Sequence, residues 1–383
     1  MKKHLLIFMF LCLLGSAGCQ AREVNDTVVP TALGFELEND NQLKLSMQLA
    51  QPKPSQQGGS SQGQKPFIVL SGLGRTATEA SRQISLNNPR FRLLSQASLY
   101  LMGEKLARHD LSVCADVLSR SPDIRESAII MVTNGSTPEE ILNASVPMEP
   151  YSGTALPKMI RIQERLLGVY QPVTLQEFLY RLSSPGIDVA LPEVTVTENN
   201  GQPAPLLNGT AIFKGAKMAG ELNERESRGY RWMKAGNIQG GMFMIPSPRH
   251  RNRHVALEIL RSNAKVTPEI KDGSILIKID VTGEGNFYEQ NSSDQLLTSQ
   301  GIKDMEKMAD QVIAADIRAA ISRAQESQSD IFGWGKLIND HYPESWRTMQ
   351  KNWSDIFPTV ESRVKVDFSI RRTYLFQKSF RVQ

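Results

Sequence analysis

Residues 294–328 constrain the fold more than any other stretch. Ile302, Met305, Met308, Val312, Ile313, Ile317, Ala320, Ile321 and Ala324 recur there at three- and four-residue spacing. Lys303, Asp304, Glu306, Lys307, Asp310, Asp316 and Arg318 fall between them. That periodicity predicts one long amphipathic helix with an apolar stripe along one side and charge on the other. A stripe of that length needs a partner: a lipid surface, a second helix in a coiled coil, or a sheet. The neighbouring segments favour the sheet. Strands are predicted over 240–246, 254–262, 265–270, 274–281 and 285–289, and an alternating strand over 363–371. Arg249, His250, Arg251, Asn252 and Arg253 make a basic turn between the first two. The expectation is a C-terminal α+β unit, an antiparallel sheet packed on one long amphipathic helix.

The first half mixes strands with helices. Residues 28–35 read as a strand with a break at Gly34, and 43–49 alternate as a half-buried strand, with a hairpin turn at 38–41. Residues 51–64 are rich in Pro, Gly, Ser and Gln and predict a flexible loop. Strands follow at 67–70, 97–102 and 127–132. Helices are expected over 76–86 with Thr78 as cap, over 103–108 and 111–119, and over 159–169 and 174–182. Thr137 followed by Pro138 gives another helix start, a capping hydroxyl and a ring-fixed first residue. The prolines and Glu198, Asn199, Asn200 and Gly201 within 192–205 mark a boundary or a long turn. A new strand set begins at 208–214, with a short helix over 221–234. The class is α+β or mixed α/β. The expected division is 1–18, 19–195, 205–262 and 263–378, and no internal repeat is visible.

The N-terminus reads as an export signal. Met1, Lys2, Lys3 and His4 are basic, residues 5–14 are an unbroken apolar run, and Gly15, Ser16, Ala17, Gly18 and Cys19 follow. A spanning helix needs about twenty apolar residues, so this run is too short to anchor by crossing. The segment resembles a bacterial lipobox, which implies that Cys19 carries a diacylglycerol thioether and becomes the mature N-terminus. The alternative is plain secretion with a chance cysteine. The chain has three cysteines. With Cys12 removed and Cys19 acylated, only Cys114 keeps a thiol, and one thiol makes no internal disulfide. Cys114 lies in an apolar helical pattern and is expected to be buried.

Catalytic constellations are not apparent. Hydrophobic residues are 40% and charged residues 22%, an ordinary globular composition. The net charge of +4 on 383 residues argues for no nucleic-acid partner. Gly72, Leu73, Gly74 and Gly283, Glu284, Gly285 read as turn glycines and continue into no phosphate-binding fingerprint. His250 and His254 have metal-ligand spacing, but the three arginines around them favour a cationic turn. Nucleophile elbows and zinc-protease motifs are missing. Glu139 and Glu140 open a helix, where negative charge is welcome. Phe332, Trp334, Tyr342, Trp346, Trp353 and Phe357 form an aromatic cluster, read as a packed satellite core or a partner-binding surface.

Several stretches taken in order resemble the Ger(x)C family, the lipoprotein C subunits of spore germinant receptors. They are Gly18-Cys19 with 22–26, then 29–35, Leu182-Ser183-Ser184-Pro185-Gly186, Leu191-Pro192 and 209–214. Glu226-Ser227-Arg228-Gly229 with Trp232, 258–262, Lys271-Asp272-Gly273, Asp330-Ile331-Phe332-Gly333 and Tyr374 complete the set. The resemblance implies three mixed α/β domains, no catalysis and no cofactor. It implies a lipidated cysteine at Cys19 and a site at the outer face of the cytoplasmic membrane, the spore inner membrane. It also implies A and B membrane subunits as partners, and an indirect role in nutrient sensing. A solute-binding lipoprotein of a transporter and a tethered cell-wall hydrolase are the competing readings. The first needs two similar lobes and a cleft, the second an acid/base or metal constellation.

Overall fold

The computed structural model describes residues 26–39, 42–51, 65–86, 88–234 and 238–372. The export segment, Cys19, residues 52–64 of the expected loop and Tyr374 lie outside the described residues. The fold is mixed α/β and is built on two large sheets, with a third of only two short strands.

The first sheet has eight strands among the described residues. After a short β1 (Thr27–Val28) come β2 (Pro30–Asn39), β3 (Gln42–Ala50), β4 (Phe67–Gly74), a short β5 (Phe91–Arg92), β6 (Leu99–Met102) and β7 (Ile129–Thr133). They are followed by β8 (Ala190–Asn199), β9 (Gln202–Lys214) and β10 (Lys217–Leu222), and the sheet order is β10-β9-β8-β7-β6-β2-β3-β4. Its centre, β8-β7-β6-β2, is parallel, and both flanks are antiparallel. Every residue of β6 and β7 is buried. That is what a parallel centre demands, because its crossover helices cover both faces. One face packs against α1 (Ala77–Leu86), α2 (Glu104–His109) and α3 (Ser112–Arg120), and the other against α4 (Pro138–Asn143) and α5 (Ser152–Leu166). Phe178 of α6 (Leu175–Ser183) returns to the first face.

This double covering corrects the half-buried reading of 43–49. Leu43, Leu45, Met47 and Leu49 face one layer, but Ser46 and Gln48 are buried as well. Gln48 is tolerated because all of its polar capacity is used. Its amide donates to the Leu142 carbonyl (2.7 Å) and Ser152 Oγ (2.9 Å), and its Oε1 accepts from Thr31 Oγ1 (2.6 Å) and Gly153 N (3.0 Å). The break expected at Gly34 is absent too. The strand continues, and the missing Cβ makes room for α4, since a Cβ there would stand 2.6 Å from that of Pro138. Thr137 caps α4 in a reciprocal box with Glu140, as its position suggested. The cap of α1 is Thr76, whose Oγ1 accepts from Glu79 N, rather than Thr78.

The second sheet has the order β11-β12-β13-β14, with β11 (Met242–Pro246), β12 (His254–Lys271), β13 (Ser274–Gln290) and β14 (Glu361–Arg372). It follows α7 (Glu224–Trp232) and packs on α8 (Ser299–Glu326), the long helix. The expected antiparallel sheet is corrected at its last strand: β14 runs parallel to β13. The reason is the connection between them. It carries α8, α9 (Trp334–His341), α10 (Pro343–Met349) and α11 (Trp353–Ile356), a crossover long enough to return the chain in the same direction.

Three further expectations shift. The two pairs of short strands over 254–270 and 274–289 are two long strands. Register slips between Ile259 and Arg261 reset the alternation there, which in sequence looks like a gap. The expected boundary at 262–263 therefore falls inside β12, and the 205–262 segment is shared between the two sheets. Residues 192–205 are a hairpin of β8 and β9 turning at Asn200 (φ 52°) and Gly201 (φ 74°). Both glycine pairs lie in strands instead of turns. A Cβ at Gly72 would stand 2.3 Å from the Ala80 carbonyl of α1, and one at Gly283 2.6 Å from the Phe368 ring.

Candidate functional site

The segments that carried the family resemblance come together in pairs. Leu182-Ser183-Ser184-Pro185-Gly186 meets Asp330-Ile331-Phe332-Gly333 where the two sheets adjoin. Lys336 N donates to the Gly186 carbonyl (2.8 Å), and Arg181 Nη1 donates to the Ile331 carbonyl (3.1 Å). Asp330 N donates to Asp188 Oδ2 (2.7 Å), while Asp188 N donates to the Asp330 carbonyl (2.8 Å). The Asp330 carboxylate is buried and accepts three N–H groups, from Trp334 N (3.0 Å), Gly335 N (2.8 Å) and Trp353 Nε1 (2.9 Å). Burial still pushes it up to about 7, against the opposing pull of those donors. One side chain thus fixes the start of α9, the α11 tryptophan and the link to Asp188.

The aromatic cluster is packed around that carboxylate. Trp334, Trp346, Trp353 and Phe357 are buried and join the core under α8, so the packed reading holds for them and the partner-surface reading does not. Phe332 stacks on Trp334, and Trp346 meets Trp353 edge-on.

The Glu226-Ser227-Arg228-Gly229 stretch docks α7 on α8. A Cβ at Gly229 would stand 2.0 Å from the Asp316 carbonyl, so only glycine permits the approach. Asp316 was placed on the charged outer face of the long helix. It is instead 3% exposed, held by Arg225 Nε (2.8 Å) and Arg228 Nε (2.9 Å). Its signal was available: two arginines three apart on a short neighbouring helix. Asn223 caps α7 in a box with Glu226, and Thr210 and Ser227 share a hydrogen bond (2.9 Å). Asp272 and Gly273, both at positive φ, form the tight turn between β12 and β13.

Other candidates resolve simply. Cys114 is buried, and its thiol is pushed up to about 12. His250 is exposed, with Nδ1 2.8 Å from Asp294 Oδ2, and His254 binds Asn291 Oδ1 through its backbone N–H. Among the described residues no group of three or more His, Cys, Asp or Glu is arranged to hold a metal.

Several open clefts remain among the described residues, among them one on each large sheet. On the second sheet, Arg261 and Arg371 both pair with Glu284 (2.8 and 2.7 Å) at the floor of a cleft of about 530 Å³. The other, of about 430 Å³, lies at the carboxyl end of the parallel strands, where α/β sheets bind ligands. Glu193 of β8 is buried there, and sequence reasoning missed it. Burial pushes its carboxyl up to about 8, with Glu221 and Glu104 adding and Asn134 and Arg108 opposing.

The two large sheets and the helices that cover them make a layered mixed α/β scaffold. Residues 20–196 match the family described as spore germination protein N-terminal domain, and residues 208–374 match spore germination B3/GerAC like, C-terminal. The chain belongs to this family of spore germination proteins. It is similar to spore germination protein KC of Bacillus subtilis (strain 168), 24% identical over 97% of this chain and 96% of that one. Spore germination protein B3 of the same organism is 22% identical, over 94% of this chain and 96% of that one. The crystal structure of the GerBC protein superposes with a TM-score of 0.57 at 19% identity, covering 88% of this chain and 96% of that one, and so shares the fold.

Proposed function

We propose that this chain is the lipid-anchored C subunit of a nutrient germinant receptor, acting beside A and B membrane subunits without catalysing a reaction. The observation that carries this reading is the family match itself. Its two parts run in order from residue 20 to residue 374, and the first begins directly after Cys19. Among the described residues no helix is long and apolar enough to cross a membrane. The proposed attachment is therefore acylated Cys19, which holds the chain on the outer face of the membrane that becomes the spore inner membrane. Acyl chains add about 0.8 kcal/mol per buried CH₂, and several together make attachment lasting.

The transporter reading is supported less well. A solute-binding lipoprotein closes two similar lobes on its ligand, whereas the two sheets here differ in strand number, order and covering.

The test is Cys19→Ala in the native host, followed by metabolic fatty-acid labelling and membrane fractionation. The expected result is loss of label together with release from the membrane fraction. Retained label on the variant would overturn the anchor assignment.

A further inference from the structure

The cleft at the carboxyl end of the parallel strands is built around one side chain. Glu193 pairs with Gly209 of β9, and the ladder slips between Glu193 and Val194. Bulges re-aim side chains, and this one turns a carboxylate inward. Gly209 makes the turn possible: a Cβ there would stand 2.3 Å from Glu193 Oε2. The side chain is 1% exposed, and among the described residues its Oε1 has no hydrogen-bond partner. A buried carboxyl oxygen left unpaired is costly, and native structures keep few of them.

The cleft above Glu193 is lined by Asn134, Asn208, Glu221, Glu226, Arg323 and Glu326. Its two nearby arginines are already engaged. Arg108 of α2 bridges Glu104 (2.9 Å) and Glu221 (2.7 Å). Arg323 of α8 donates to the Glu221 carbonyl (3.0 Å) and lies 3.7 Å from Glu326. Glu226 of α7 accepts from Asn223 N (2.9 Å) and has no ion-pair partner in this cleft. The lining therefore offers more carboxylate than cation.

We propose that this cleft receives a single cationic group, an ammonium or a guanidinium, that donates a hydrogen bond to Glu193 Oε1. An N–H-bearing cation supplies the donor this oxygen lacks and the charge the lining lacks. A metal ion fits less well, because the surrounding carboxylates are not arranged as a ligand set. The raised pKa of Glu193 adds a signature. A cation binds the ionised form, so binding near neutral pH expels a proton from Glu193, and affinity rises as pH passes through about 8. Glu104, Glu221, Glu226 and Glu326 face the group with Arg108 and Arg323, and their balance sets the size of that rise.

The test is calorimetric titration of the full chain in detergent, in two buffers of different ionisation heat. The probes are n-butylammonium, the blocked amino-acid amides of lysine and arginine, and neutral n-butylurea. The charged probes are expected to bind and release a proton at pH 7, and the urea is not. Binding by the blocked amides as well as the simple amine points to a side chain of a protein partner. Binding by the simple amine alone points to a small solute. Glu193→Gln keeps the shape and removes the charge, and is expected to weaken binding about ten-fold or more and abolish proton release. Glu326→Gln, at the rim, serves as a second variant with about a two-fold effect. No binding of any of the three charged probes at pH 9, or binding without proton release at pH 7 in the wild-type chain, overturns the proposal. The titration reads the cleft alone, so its failure and a failure of the receptor reading are separate results.

Discussion

The two sheets solve the same problem in opposite ways. The eight-stranded sheet is covered by helices on both faces, and its strands β6 and β7 are short and buried at every position. The four-stranded sheet buries one face under α8 and leaves the other toward solvent, where Arg261, Glu284 and Arg371 form a ladder. The first is closed by helices on two sides and keeps its polar opening at the strand ends. The second offers a broad charged face. The difference teaches where to look for partners: at an end in one region, across a face in the other. Asp330 holds the regions in register, since it is bonded to Asp188 on one side and to α9 and α11 on the other.

Removing a large core side chain from the second region tests whether its single buried face is as demanding as the double-faced core. Phe368→Ala empties the space over Gly283 and Gly285 and is expected to cost about 3–5 kcal/mol, read as a lowered urea midpoint. An unchanged midpoint would mean that the face repacks freely.

The joint between the regions comes next. Asp330→Asn turns an acceptor of two N–H groups into a donor facing donors, and is expected to cost about 3 kcal/mol. Tryptophan fluorescence reads it directly, because Trp334 and Trp353 bond to that carboxylate. The pH dependence has a definite sign. Folding raises Asp330 from 3.8 to about 7. Between those values the folded state binds the extra proton, so stability is full below about 4 and falls as pH rises to 7. Glu193, raised from 4.5 to about 8, adds a loss of the same sign. Asp330→Asn is expected to reduce the slope between pH 4 and 7 and leave the Glu193 contribution, which runs from about 4.5 to 8.

Smaller effects mark the edges of each region. Gly201→Ala in the β8–β9 turn has free space around it but the wrong backbone, and is expected to cost about 1 kcal/mol. A matched change at the exposed pair Arg120–Asp116 is expected to leave the thermal unfolding midpoint essentially where it is.

What was legible in the sequence follows the same contrast. The long helix, the Thr137-Pro138 start and the alternating β14 were readable, because one face meets water and the period shows. Of the parallel centre, β2, β6 and β7 were legible as strands while β8 was read as a boundary; the double covering was not legible, and Gln48 was hidden by it. The crossover that makes β14 parallel is a property of chain path, which periodicity does not carry. Asn200-Gly201 was a hairpin signal in plain view, overshadowed by the surrounding prolines. Asp316 and Glu193 were missed for one reason: each is a charge whose burial depends on a neighbour far away in sequence, two arginines for one and Gly209 for the other.

The most direct test of the central claim is the nutrient response of spores that lack this chain. Loss of refractility would be followed across a panel of nutrients in the deletion strain, with the wild-type chain and with Cys19→Ala restored separately. The account predicts a lost response to at least one nutrient, recovered by the wild-type chain and poorly by Cys19→Ala. A deletion strain that answers every nutrient at the wild-type rate would contradict it.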